Sequence, residues 1–199
     1  MAQPLPRPVW LSSYLLVALA TVALVDVIVT VIGLARLADE APGFLASPIA
    51  AQVADPRLVV DTIELGLWWN ARVAGALVVV FGVVGLLIRR PYAVARNLVW
   101  IAGSVALFVL SCGVTVNPDY AAPADGTQRW WSLTELGLIP AWHPGVRSAL
   151  TAAELALLIL GCLQLLRPDA RDHYRRQTTE VSLGTVLARR QERLEREGR

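Results

Sequence analysis

The sequence predicts an all-α integral membrane protein, a bundle of four transmembrane helices followed by an amphipathic C-terminal helix on the cytoplasmic side. Three observations carry this. The chain of 199 residues is 55% hydrophobic with a mean hydropathy of +0.52, above the roughly 45–50% apolar share of soluble domains. Four stretches, about residues 11–35, 69–88, 98–116 and 148–166, approach or exceed the ~20 residues that cross a bilayer core. The basic residues, finally, are unevenly placed between the ends of those stretches.

Each span has its own signature. The first, 11–35, is interrupted only by Asp26. Its apolar run far exceeds the roughly 7–15 residues of a signal peptide's core, so it reads as a retained helix. The second, 69–88, has its core at Val73–Ile88 and is extended outward by Leu65–Ala71. The third, 98–116, carries no charge, and the fourth, 148–166, is interrupted only by Glu154. Valine is abundant, but four strands fall short of the about eight that close a membrane barrel.

Orientation follows from arginine. All 18 basic residues are arginine. Arg7, Arg89, Arg90, Arg96 and the nine arginines after Leu166 gather at one end, 13 in all, against Arg36, Arg57, Arg72, Arg129 and Arg147 at the other. Basic loops stay cytoplasmic, so both termini are expected inside, with outer loops at 36–68 and 117–147. Tryptophans at 10, 68, 69, 100, 130, 131 and 142 stand near the borders where indole rings collect. A transmembrane domain over 1–168 and a basic tail over 169–199 result.

The halves share wording. "ELGL" occurs at 64–67 and at 135–138, each followed by tryptophan and arginine and then by an apolar run. "VWL" and "VWI" open the first and third spans, and "LLIRRP" and "LLRP" close the second and fourth. The pattern suggests two tandem helical hairpins, against the alternative of convergent border residues on unrelated helices. The ELGL segments are expected as short interfacial helices forming a lid, with Pro140 and Pro144 breaking any helix before the fourth span.

Two buried acids are the sharpest candidates for a site. An aspartate near a helix centre costs about 2.5–3.5 kcal/mol on insertion scales, so such a residue usually finds a partner or a watery cavity. Asp26 and Glu154 fall at similar depth in the outer half of the membrane. A polar group of Asp26, Arg72 and Glu154 is expected, with Asp26 either paired to Arg72 or hydrogen-bonded to Thr30 or Asn70. The functional alternative is a proton or cation relay. Gly82, Gly85, Gly103 and Gly161 read as close-packing positions.

In the tail, Arg171, Arg175 and Arg176 suit anionic headgroups, each worth about 1 kcal/mol near the surface. Leu183, Leu187 and Leu194 form a narrow apolar stripe suited to a protein groove. Membrane lipids and other membrane or cytoplasmic subunits are therefore the expected partners, and no nucleic acid.

No catalytic, cofactor-binding or metal-binding constellation stands in the sequence. The two histidines, His143 and His173, and the two cysteines, Cys112 and Cys162, lie toward opposite sides of the membrane, and no CxxC, phosphate loop, dinucleotide motif or nucleophile elbow occurs. No cofactor is expected, and the chain is read as a non-enzymatic accessory subunit. A proton-coupled carrier built on Asp26 and Glu154 is the alternative, and a lipid-modifying enzyme around Glu64, Glu135 and His143 a third.

With its arginine-only bias and repeated border motifs, the chain resembles small four-helix actinobacterial membrane proteins of unassigned function. That resemblance implies a place in the bacterial plasma membrane within a large envelope assembly, first a Mce-type lipid or fatty-acid importer and second a respiratory supercomplex.

Overall fold

A computed structural model describes residues 6–53, 55–90, 93–115, 120–121, 131–132, 134–170 and 172–174. The described chain runs α1 (Arg7–Leu45), a 3-10 turn (Ala50–Gln52), α2 (Pro56–Leu87), α3 (Ala93–Thr115), a two-residue antiparallel ladder pairing Tyr120 with Ser132 and Ala121 with Trp131, and α4 (His143–Gln164). Four of its helices are long and apolar enough to cross a membrane, so the fold is that of a multi-pass, helical membrane protein.

Local chemistry sets the helix starts. Pro56 and Pro144 each occupy a first turn, where the missing N–H is no loss. The Asp55 side chain accepts from the Leu58 N–H at 3.0 Å and caps α2. Pro144 therefore opens α4 instead of separating it from a preceding helix, and α4 begins at His143, five residues before the expected span.

The helices are longer than expected. α1 has 39 residues and α2 has 32, about 58 Å and 48 Å at 1.5 Å per residue. The stretch 36–68, read as a loop, is mostly helix. Helical periodicity hid there because the exposed faces carry Arg36, Asp39, Glu40, Asp61 and Glu64, and a hydropathy window stops at charge.

α1 is the central helix and packs along both α2 and α4, while α3 lies against α4 and α2. Glycine makes the close approaches. A Cβ on Gly85 would meet the Val17 Cγ2 at 3.1 Å and the Val17 backbone nitrogen at 3.3 Å. One on Gly161 would meet the Leu16 Cδ2 at 3.1 Å, and one on Gly103 the Cys162 Sγ at 3.0 Å. Gly82 differs, its nearest neighbour being the Ala20 Cβ at 3.9 Å, an ordinary contact.

Hydrogen bonds from α1 accompany these contacts. The Ser12 hydroxyl donates to the Gly161 carbonyl at 2.9 Å, and the Ser13 hydroxyl to the Gly85 carbonyl at 2.6 Å. The Arg89 Nε–H then donates to the Ser13 Oγ at 2.8 Å, with its guanidinium 5.3 Å from the Tyr14 ring centre. Backbones brought close by glycine thus present carbonyls within reach of short hydroxyls.

Two apolar cores result. The larger runs through the bundle around Leu16, Leu19, Phe81, Val99 and Leu158. The smaller lies at the end away from Trp10 and joins Leu37, Phe44, Ala50, Val53, Ile63, Leu67, Leu136, Leu138 and Ile139. Both ELGL segments feed this second core, but in different conformations. Glu64–Leu67 is a continuous part of α2, whereas 135–138 is a turn in which Gly137 has φ +72°, a left-handed angle that glycine adopts without strain. Neither is a separate interfacial helix.

The start of the tail is also ordered against the bundle. Helical turns at 168–170 and 172–174 bury Ala170 and Tyr174 in the larger core. The Tyr174 hydroxyl donates to the Ile88 carbonyl at 2.8 Å, at the C-terminal end of α2. Ala170 and Tyr174, in the segment that follows 168, thus pack with the bundle. Burial raises the Tyr174 pKa above its ordinary value, against a lowering influence from Arg96. A phenol held neutral in the fold contributes stability that is fully present below about pH 10, its unfolded value, and that is lost as pH rises through the folded pKa. Tyr174→Phe should lower stability by about 1 kcal/mol at neutral pH and flatten the alkaline loss, checked by unfolding in mixed micelles at neutral and alkaline pH.

Candidate functional site: a polar seam between α1 and α4

The seam is built by helical spacing. On α1, Leu19, Ala23, Asp26, Thr30, Gly33 and Leu37 are buried, a 3–4 repeat that places them on one face. On α4, His143, Glu154, Leu158 and Gly161 are buried, and Arg147 lies one turn after His143, half-buried. Two contacts fix the register. Gly33 faces His143, since a Cβ there would come within 2.8 Å of the imidazole Nε2, and Gly161 faces Leu16. The helices are therefore antiparallel, and Asp26 stands level with about residue 150. Arg147 and Glu154 flank it, one turn to either side, with axial offsets of about 4–6 Å.

Depth follows from the tryptophans. α2 is antiparallel to α1 through the Gly85–Val17 and Gly82–Ala20 contacts, which sets Trp68 and Trp69 level with about residue 33 of α1. Both residues are exposed, as is Trp10. Trp10 and this level are about 35 Å apart, close to the ~30 Å of a hydrocarbon core. Asp26 and Glu154 thus lie between the two tryptophan levels, Asp26 about 10 Å from that of Trp68 and Trp69.

There the side chains are deeply enclosed. Asp26 is 6% exposed, Glu154 1%, His143 2% and Thr30 0%. The Asp26 Oδ1, the Glu154 Oε1 and the Thr30 Oγ1 have no hydrogen-bond partner among the described residues. The expected Asp26–Thr30 hydrogen bond is accordingly not made. Arg147 acts electrostatically on both carboxyls, and Asp26 acts on Glu154. Arg72, expected as the partner of Asp26, is exposed on α2, and the guanidinium that serves the acids comes from α4.

The structure brings Asp26 and Glu154 into one seam. It adds His143 and Gly33, which the sequence reading did not place there, and Arg147, which that reading let reach inward from the same end as Arg72. His143 looked like a loop residue because Trp142 and two prolines surround it, yet Pro144 starts a helix and turns the imidazole inward. Gly33 makes the room for that ring. Arg147 is on the same α4 face as Glu154, seven residues apart, a spacing that was legible. Glu64 and Glu135 are exposed, while His143 is buried in the α1–α4 seam. Arg171, Arg175, Arg176, Leu183, Leu187 and Leu194 lie outside the described residues. No disulfide joins Cys112 and Cys162, and among the described residues no three His, Cys, Asp or Glu side chains are grouped to hold a metal ion.

What the fold and seam define is a class, a multi-pass helical membrane protein with ionisable groups enclosed in its bundle. The chain matches no family model, no curated protein and no solved structure.

Proposed function

We propose that this protein is a non-enzymatic accessory subunit of a larger assembly in the bacterial plasma membrane, with its arginine-rich end and both termini in the cytoplasm. The observation that supports this is the helical hairpin beyond the tryptophan border. There α1 and α2 continue about 18 Å past the apolar slab, stiffened by the second core. Leu58 and Leu65, seven residues apart on the same face of α2, stay 61% and 68% exposed. A stiff projection presenting leucines outside the lipid suits a protein neighbour. Resemblance alone names the host, a Mce-type lipid or fatty-acid importer before a respiratory supercomplex.

The test is gentle extraction of the tagged chain. It should migrate within a larger complex, and Leu58→Glu with Leu65→Glu should release it as a folded single species. A wild-type chain recovered alone and homogeneous would overturn the reading.

A second reading, a small proton-coupled carrier, is favoured by the enclosure of Asp26 and Glu154 in one seam. In that case Asp26→Asn with Glu154→Gln abolishes flux in proteoliposomes while assembly persists.

A further inference from the structure

Among the described residues, the charge of the α1–α4 seam does not close on its own. Its fixed groups are two carboxyls, Asp26 and Glu154, and one guanidinium, Arg147. The other titratable group on the seam is His143, about two turns from Asp26 along α1. α2, the other helix packed along α1, has Arg72 as its nearest charge, and that residue is exposed. No charged residue of α3 lies at this depth, Arg96 being near the opposite end. With both acids ionised and the imidazole neutral, one negative charge is left over inside an apolar slab, where an uncompensated charge is strongly disfavoured.

A second observation concerns the oxygens of the seam. Three oxygens stand without hydrogen-bond partners among the described residues, the Asp26 Oδ1, the Glu154 Oε1 and the Thr30 Oγ1. They belong to side chains at least nine-tenths buried. Thr30 is one turn from Asp26 on the same buried face of α1, and its hydroxyl is a neutral oxygen. Oxygens of this kind accept a proton or coordinate a hard alkali cation.

We propose that this seam binds one monovalent cation per chain, a proton or a sodium ion, at Asp26, Thr30 and Glu154. With a proton, one carboxylate becomes a carboxylic acid and its new O–H donates to a neighbouring oxygen. With sodium, both carboxylates stay ionised and the ion takes its ligands from them and from the Thr30 hydroxyl. Neither outcome presupposes transport, so the site belongs equally to an accessory subunit or to a carrier.

Infrared spectroscopy of the full chain in lipid nanodiscs tests it at neutral pH, with choline as the only buffer cation. The wild-type chain should show a protonated-carboxyl C=O band worth one carboxyl, lost in Asp26→Asn with Glu154→Gln and kept in His143→Gln. Adding sodium chloride separates the ligands. A proton site keeps the band, whereas a sodium site loses it and releases one proton per chain to a dye. Should the double variant not fold, the wild-type chain is treated with a hydrophobic carbodiimide, which modifies protonated carboxyls within membranes. Label mapped by mass spectrometry to Asp26 or Glu154 supports the site. A wild-type chain with no such band and no label on either acid overturns it, as does a band that survives in the folded double variant or disappears in the His143 variant.

Discussion

A Gly85→Leu chain should be the least stable of the packing variants, weaker than wild type by about 3 kcal/mol, the upper part of the range for overpacked cores. The added side chain begins against the Val17 backbone nitrogen and the Leu16 Cβ, each 3.3 Å from the site of its Cβ. A backbone atom cannot rotate aside. To make room, α1 and α2 must separate, and separation also pulls the Ser13 hydroxyl from the Gly85 carbonyl and disturbs the Arg89–Ser13 hydrogen bond. Gly82→Ala is the matching control, since its methyl would meet only the Ala20 Cβ at 3.9 Å and should change stability little. Reversible unfolding in mixed micelles followed by circular dichroism checks the pair. Equal stability of Gly85→Leu and wild type would mean that the two helices do not approach as described.

Arg147→Leu should have a comparable effect, a loss of about 1–3 kcal/mol, as when enclosed charges lose compensation. It takes away the guanidinium that acts on both Asp26 and Glu154 and leaves two enclosed carboxyls with less compensation. Proton uptake by the acids limits the damage but cannot restore the lost attraction. Adding Asp26→Asn to Arg147→Leu should therefore recover much of the loss, giving a double-mutant coupling well outside the ~0.3–0.5 kcal/mol scatter of independent sites. Additive effects within that scatter would show that Arg147 and Asp26 do not share the seam.

Much of the fold was legible in the sequence because lipid imposes a length and a composition. The four apolar stretches became four helices, and three of the four glycines read as packing positions sit at tight contacts. Legibility ended where the chain leaves the slab. Between 36 and 68 the charges that suggested a loop are the exposed faces of α1 and α2, and Asp55–Pro56 confines the break to 46–55. The two ELGL copies show the same limit, since identical residues form helix in one case and a left-handed turn in the other. Position 64 continues into an unbroken α2, while position 135 precedes Pro140, whose missing N–H and ring disfavour a helix continuing through it.

The candidate site divides in the same way. Sequence alone determined that Asp26 and Glu154 stand in apolar helices at similar depth, because depth is counted in residues from a border and each residue rises by a fixed step. Only the tertiary structure decided that they share a seam, that Arg147 and not Arg72 serves them, and that His143 is enclosed beside Gly33. Those are matters of helix rotation and pairing. They depend on which faces interlock, and Gly33, Gly85 and Gly161 settle that by letting α1 approach α2 and α4 at particular registers.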